Sequence, residues 1–338
     1  MKVLSIINLK GGVAKTISSV NMAHILAAVK GFKVLLIDND KQGNASKIMN
    51  RHSYDRKGTA EVMTQRGIDP AEVIQHTDFD GLDIITANMN LLTANLEVML
   101  DQSRPQQTRF KKFLDGLQNE YDYCIIDNAP DINISTINAL VASDDVMVPI
   151  TIDDFAIDGL AELKEQIDNT REDLNPQLRF CGCFVTQYDR TNEADTQGEE
   201  FLKTLEYPVF DTHIRKTPKM KPSTFERLPI ILYSPRCGAS ADYKALVEEW
   251  LRIVTNSDTL GGKDNGRSSK EIQLDRVIKP AVKGSWGAAE NRTAAGGSRH
   301  RGCHVRRGRE QHRRYLRPYT VKGQFLQRGR RAGLKTVY

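Results

Sequence analysis

Short runs that are apolar at every position, separated by stretches that are apolar only at helical spacing, constrain this chain more than any other feature. Val34-Leu35-Leu36-Ile37 and Tyr123-Cys124-Ile125-Ile126 have no polar side. A strand built from either must be covered on both faces, as in a parallel sheet between two layers of helices. Comparable runs occupy residues 2–7 and 146–150, and residues 17–29 between the first two runs are amphipathic. Strands alternating with helical patterns read as βαβ units. The expected fold is therefore α/β, with a doubly wound, mostly parallel sheet and helices on both faces. A further strand is expected at residues 180–185. Tyr243, Leu246, Val247, Trp250, Leu251 and Val254 then fall on one face of a closing helix, after which the periodicity stops.

Charge divides the chain at the same place. Residues 255–338 hold 20 Lys and Arg against 6 Asp and Glu, whereas residues 1–254 hold 28 against 37. We therefore expect a folded domain over 1–254 and a basic, Gly- and Arg-rich tail over 255–338. Without apolar periodicity, residues 299–317 cannot bury enough surface to fold alone. Three readings of the tail stand open: a disordered nucleic-acid arm, a solvated linker, or an out-of-frame extension, the last being favoured. The five cysteines form no C-x-x-C and have no neighbouring His at ligand spacing. Structural zinc and a disulfide framework are thus not expected, and a reducing cytoplasm fits. The start of the chain lacks the pattern of a signal peptide, and no run approaches the ~18 to 20 apolar residues that cross a bilayer.

The segment between the first strand and the first helix reads Leu9-Lys10-Gly11-Gly12-Val13-Ala14-Lys15-Thr16. Glycines there let backbone approach an anion, amides and the helix N-terminus supply donors, and a lysine and a hydroxyl can reach phosphates and Mg²⁺. The strict G-x-x-x-x-G-K-[ST] pattern fails, since Leu9 and Ala14 stand at its glycine positions. A tight turn before a helix is the bland alternative. Asp38 and Asp40, in Asp38-Asn39-Asp40-Lys41-Gln42-Gly43-Asn44-Ala45-Ser46, follow the second buried run, and Asp127 ends the third. Carboxylates at the C-terminal ends of such strands lie where open α/β sheets bind ligands, and Asp127 suits a Walker B metal carboxylate. Each could instead be a helix cap or turn former.

Together K-G-G-V-A-K-T, D-N-D-K-Q-G-N-A-S and I-I-D-N-A-P resemble the ParA/Soj group of deviant Walker A partition ATPases, over about residues 1–254. The resemblance implies a P-loop NTPase fold, ATP and Mg²⁺ as ligands, and slow, partner-stimulated hydrolysis. Lys10, Gly11, Gly12, Val13, Ala14, Lys15, Thr16 and Ile17 then form the nucleotide site. Lys15 contacts the β- and γ-phosphates, and Lys10 is the signature lysine that crosses to the partner's nucleotide in an ATP-bound homodimer. Thr16 binds Mg²⁺, Asp127 holds it through water, Asp38 supports the metal shell, and Asp40 orients the attacking water. Two departures stand out: Ala14 replaces a usual glycine, and Ile214-Arg215-Lys216 stands where Ile-Pro-Arg is common.

Arg215, Lys216, Lys219 and Lys221 gather positive charge in an otherwise acidic domain, which phosphate-backbone binding requires. A solvated loop is the alternative. The resemblance implies non-specific DNA binding by the ATP dimer, nucleoid association, and a ParB-type partner that triggers hydrolysis. A strand beginning at Lys2 leaves no helix-turn-helix ahead of it, so operator-specific binding is not expected. A MinD-like membrane-positioning ATPase is the competing function. It needs an amphipathic C-terminal helix, and residues 272–278, followed by Pro280, are too short for one; no membrane partner is expected. A reductase of the nitrogenase iron-protein kind lacks suitably placed cysteines.

Overall fold

The computed structural model describes residues 1–152, 154–205 and 207–261. Eight strands form one sheet in the order β3-β4-β2-β5-β1-β6-β7-β8. They span β1 Lys2–Ile6, β2 Val34–Asn39, β3 Ile74–His76, β4 Leu82–Ile85, β5 Tyr123–Asn128, β6 Asp145–Ile150, β7 Arg179–Tyr188 and β8 Ile214–Arg215. All neighbours are parallel except β3 and β4, so the expected doubly wound sheet is present, with one antiparallel edge.

The helices are α1 Lys15–His24, α2 Asn44–Ile48, α3 Thr59–Thr64, α4 Pro70–Val73, α5 Asn90–Leu100, α6 Arg109–Asp115, α7 Ile134–Ala142, α8 Asp154–Asp173, α9 Glu193–Thr204, α10 Met220–Phe225, α11 Ile230–Tyr233 and α12 Gly238–Gly261. A π-helical turn, Ile25–Val29, extends α1. α12 runs through Gly261, beyond the residue where its apolar spacing stops. The remainder of the tail, including residues 272–278 and 299–317, lies outside the described residues.

Alternation along the central strands assigns the two faces. Leu4, Ile6, Val34, Leu36 and Ile125 pack with α1 and with Tyr243, Leu246, Val247 and Trp250 of α12. Val3, Leu35, Ile37, Cys124 and Ile126, one residue out of step, pack against α3, α5, α6 and α7. This period of two explains why the runs have no polar side. A third cluster joins Val146, Val148, Ile150, Cys183 and Val185 to Leu160, Leu163 and Ile167 of α8. Cys124, Cys181 and Cys183 are buried and free.

The strand order reverses at β1, which lies between β5 and β6. The loop that leaves β1 therefore emerges at the crevice where open α/β sheets take their ligands.

Candidate nucleotide site

The β1–α1 loop is clamped at its start, along its length and at its end. Asn8 donates its amide to Pro149 O at 2.7 Å, while its Oδ1 accepts the Lys10 N–H at 2.8 Å. Gly12 O accepts from Gln187 Nε2 at 2.7 Å and Val13 O from Thr186 Oγ1 at 3.1 Å. In a planar trans peptide the N–H opposes its carbonyl, so the Val13 and Ala14 amides point away from β7. Gly12 takes φ +80°, a region that glycine enters without penalty. Ala14 takes φ 65° at the helix cap, and its carbonyl accepts the Ser18 N–H, the first bond of α1.

Lys15, only 8% exposed, donates Nζ to the Lys10 carbonyl at 2.8 Å, closing the loop on itself. Burial lowers its pKa, opposed by the charges of Asp127, Asp40 and Asp131.

Asp38 and Asp127 are register partners on adjacent β2 and β5, and both are fully buried. Asp38 Oδ2 accepts from Ser46 N at 2.8 Å and Ser46 Oγ at 2.6 Å, and its Oδ1 accepts the Asp40 N–H at 3.2 Å. Asp127 Oδ1 accepts from Ser19 Oγ at 2.9 Å, and the Thr16 side chain lies close enough to lower the Asp127 pKa. Its Oδ2 is buried without a partner. Burial, then the neighbouring Asp38 charge, raises the Asp127 pKa well above the usual carboxylate range. Burial likewise raises that of Asp38, against the hydrogen bonds from Ser46. Two adjoining buried carboxylates and an orphaned oxygen beside the Thr16 and Ser19 hydroxyls fit a divalent cation, which would relieve both costs. Among the described residues no group of three or more His, Cys, Asp or Glu forms a closed metal cage. Mg²⁺ is commonly held by one or two protein groups together with phosphates and water.

Asp40, 8% exposed, accepts the Gln42 N–H at 2.9 Å, turning the chain toward Gly43. A Cβ at Gly43, where φ is +62°, would lie 2.5 Å from Ala87 O, so the segment is seated tightly against the end of β4. Thus Lys10, Gly11, Gly12, Val13, Ala14, Lys15, Thr16, Ile17, Asp38, Asp40 and Asp127 come from three separate segments to one edge of the sheet.

A family model described as an AAA domain matches residues 1–180. Sporulation initiation inhibitor protein Soj of Bacillus subtilis is 34% identical over 249 residues, spanning 73% of this chain and 97% of Soj. The chromosome partitioning protein ParA of Caulobacter vibrioides is 32% identical over 252 residues, spanning 74% and 93%. This chain belongs to the ParA/Soj family of partition ATPases. Among solved structures, cobyrinic acid a,c-diamide synthase from Mycobacterium smegmatis, with a bound ATP analogue and magnesium, superposes with TM-score 0.66 at 25% identity, over 76% of this chain and 97% of that one. A plasmid partition protein from Borrelia burgdorferi shares the fold, with TM-score 0.59 over 75% and 98%. The P-loop NTPase fold and a ParA-type ATPase follow.

Several residues of this ParA-type site escaped sequence reasoning. Ser19 lies one helical turn beyond Lys15, and Ser46 ends the D-N-D-K-Q-G-N-A-S run; both hydroxyls serve buried carboxylates. Thr186 and Gln187 support the loop from β7, a distance along the chain that no local pattern bridges. Lys41 pairs with Asp131 at 3.5 Å, joining the chain after β2 to that after β5.

The four basic residues lie apart from these, around β8 and α10. Lys216, Lys219 and Lys221 are exposed. Arg215 is also exposed, but its guanidinium holds Asp242 of α12 at 2.7 Å and its N–H donates to the same carboxylate at 3.0 Å. Its charge is largely spent within the fold. Among the described residues no helix is long and apolar enough to cross a membrane.

Proposed function

We propose that this chain is an ATP-hydrolysing partition protein. It binds ATP with Mg²⁺, pairs face to face with a second copy while ATP is bound, and in that state binds duplex DNA without sequence preference. It acts in the cytoplasm, on the nucleoid, to segregate a plasmid, chromosome origin or mobile element, and a DNA-bound ParB-type protein speeds its slow hydrolysis.

The observation that supports this most is the loop carrying two lysines, with Lys15 Nζ seated on the Lys10 carbonyl amid the charges of three aspartates. Lys15 transfers to the β- and γ-phosphates, Gly11 to Ile17 donate from backbone and helix N-terminus, and Lys10 reaches the partner's nucleotide. Thr16 and Asp127 hold Mg²⁺, the latter through water, with Asp38 supporting that shell; the ion neutralises phosphate charge. Asp40 positions the attacking water, so that orientation and electrostatics supply most of the rate. The ATPase domain comprises residues 1–254, and residues 255–338 are the basic tail. Lys216, Lys219 and Lys221 contact DNA phosphates, with a smaller part for Arg215.

Light scattering tests the dimer. ATP should double the mass of the wild type and leave Lys10→Ala monomeric; a Lys10→Ala protein that pairs like wild type contradicts the arrangement. Asp40→Ala should keep ATP affinity and lose turnover, whereas Lys15→Ala should lose affinity. Unaltered hydrolysis in Asp40→Ala would move the water-positioning role to another residue.

A further inference from the structure

An open cleft of about 440 Å³ lies beside the nucleotide site, between the end of α2 and β3. Asn50, Arg51, His52, Ser53, Arg56 and His76 line it, and no carboxylate is among its lining residues. Asn50 at its rim accepts a hydrogen bond from Arg227, which follows α10 closely. Both residues hold left-handed backbone, φ 54° and 55°, a conformation that costs a non-glycine residue free energy. That hydrogen bond ties the rim of the cleft to the residue that follows α10, the helix that holds Lys221 and begins directly after Lys219.

We propose that this cleft is a second contact for the nucleic-acid phosphate backbone, extending the α10 surface through Arg227 to Arg56 and to Lys47 on α2. This rests on the DNA-binding reading above and adds residues and a direction to it. Lys47, Arg56 and Arg227 are exposed and in no ion pair among the described residues. Arg51 is held by Asp78 at 2.6 Å and His76 by Asp83 at 2.6 Å. Of the cations left over, Lys47 belongs to α2 and donates Nζ to the Gln42 carbonyl, Arg56 lines the cleft and Arg227 follows α10; cations from separate segments suit an extended polyanion better than a small one.

The same segment is tied to the nucleotide carboxylates. Ser46, which holds Asp38, and Lys47 are consecutive in α2, and the His52 ring lies where a Cβ on Gly43 would be 2.7 Å away. The segment that carries Asp38 and Asp40 therefore packs against the wall of the cleft.

The test is the salt dependence of duplex DNA binding by the full chain with ATP, compared with Lys47→Gln/Arg56→Gln/Arg227→Gln. The slope of log affinity against log salt should fall by about 0.9 for each of these cations that meets a phosphate. Arg56→Lys, which keeps the charge, should retain the wild-type slope, and melting curves of each variant check folding. A triple variant with wild-type slope and affinity, alongside loss of binding when Lys216, Lys219 and Lys221 become Glu, overturns the extension and leaves the underlying reading intact. A wild type that binds no DNA with ATP overturns both. Inorganic phosphate that binds through Arg56 while the DNA slope stays unchanged would assign the cleft to a small oxyanion. Arg56-dependent retention on phosphatidylglycerol vesicles, without such retention on DNA, would assign it to a lipid surface.

Discussion

Ala14 occupies a backbone conformation that an L-residue adopts at a cost of about 1 to 2 kcal/mol. Ala14→Gly removes that strain but loosens the unfolded chain by about 0.5 to 1 kcal/mol. The expected net is a small gain, up to about 1 kcal/mol, seen as a slightly higher Tm; a fall of several degrees would mean that the methyl group packs usefully. Asp127 and Asp38 have pKa values raised above those of the unfolded chain. Native protein thus binds more protons than unfolded protein as pH rises from the carboxylate range toward neutrality, and stability must fall across that window. Asp127→Asn should flatten the fall and stabilise the ligand-free protein at neutral pH by about 1 to 3 kcal/mol. It should also abolish the additional stabilisation that Mg²⁺ brings to the ATP complex. A steeper pH profile in the variant would refute the assignment. His24 acts in the opposite sense: burial lowers its pKa to about 4, so its contribution is lost as pH falls below about 6.5.

At the scale of elements, α12 is pinned to the sheet by its indole. Trp250 is fully buried and donates Nε1 to Asp145 Oδ2 at 3.1 Å, while Arg179 donates to both oxygens of that carboxylate at 3.0 Å. Trp250→Phe keeps most of the packing and removes one donor, for an expected loss of about 1 kcal/mol in chemical denaturation. Trp250→Ala should cost about 3 to 5 kcal/mol; equal effects would show that the hydrogen bond, not the packing, dominates. This helix was legible in the sequence because its apolar residues repeat at helical spacing against a single core. β2 and β5 were legible for the complementary reason, burial on both faces. β3, of three residues, and β8, of two, were not, because edge strands that short have too few positions to establish a period. The π-helical turn after α1 was hidden too, since Ile25-Leu26-Ala27-Ala28-Val29 reads as ordinary helix. The carboxylates of the site were readable from their strand-end positions. Their hydrogen-bonded supports were not: Ser19 bonds across 108 residues, and Arg215 finds Asp242 only once β8 and α12 have been packed together. The Arg215 pairing also explains why a run of basic residues overstates the charge available at the surface.

Across the whole molecule, residues 1–254 hold 28 Lys and Arg against 37 Asp and Glu, and residues 255–338 hold 20 against 6. A charged tail attracts DNA whatever the nucleotide, whereas the DNA contacts proposed on α10 and beside α2 depend on the proposed ATP-bound state. Removing residues 262–338 should therefore delete a nucleotide-independent background and leave the ATP-dependent component. Loss of the ATP-dependent component on that truncation would place DNA recognition in the tail. Under the proposed function, ATP bound at the β1–α1 loop licenses DNA binding. Fluorescence anisotropy of a plain duplex titrated with the full chain, in ATP, ADP and no nucleotide at one salt concentration, tests it most directly. Affinity should be at least about tenfold higher with ATP than in the other two states, a difference of about 1.4 kcal/mol; three superimposable isotherms would mean that ATP does not gate DNA binding.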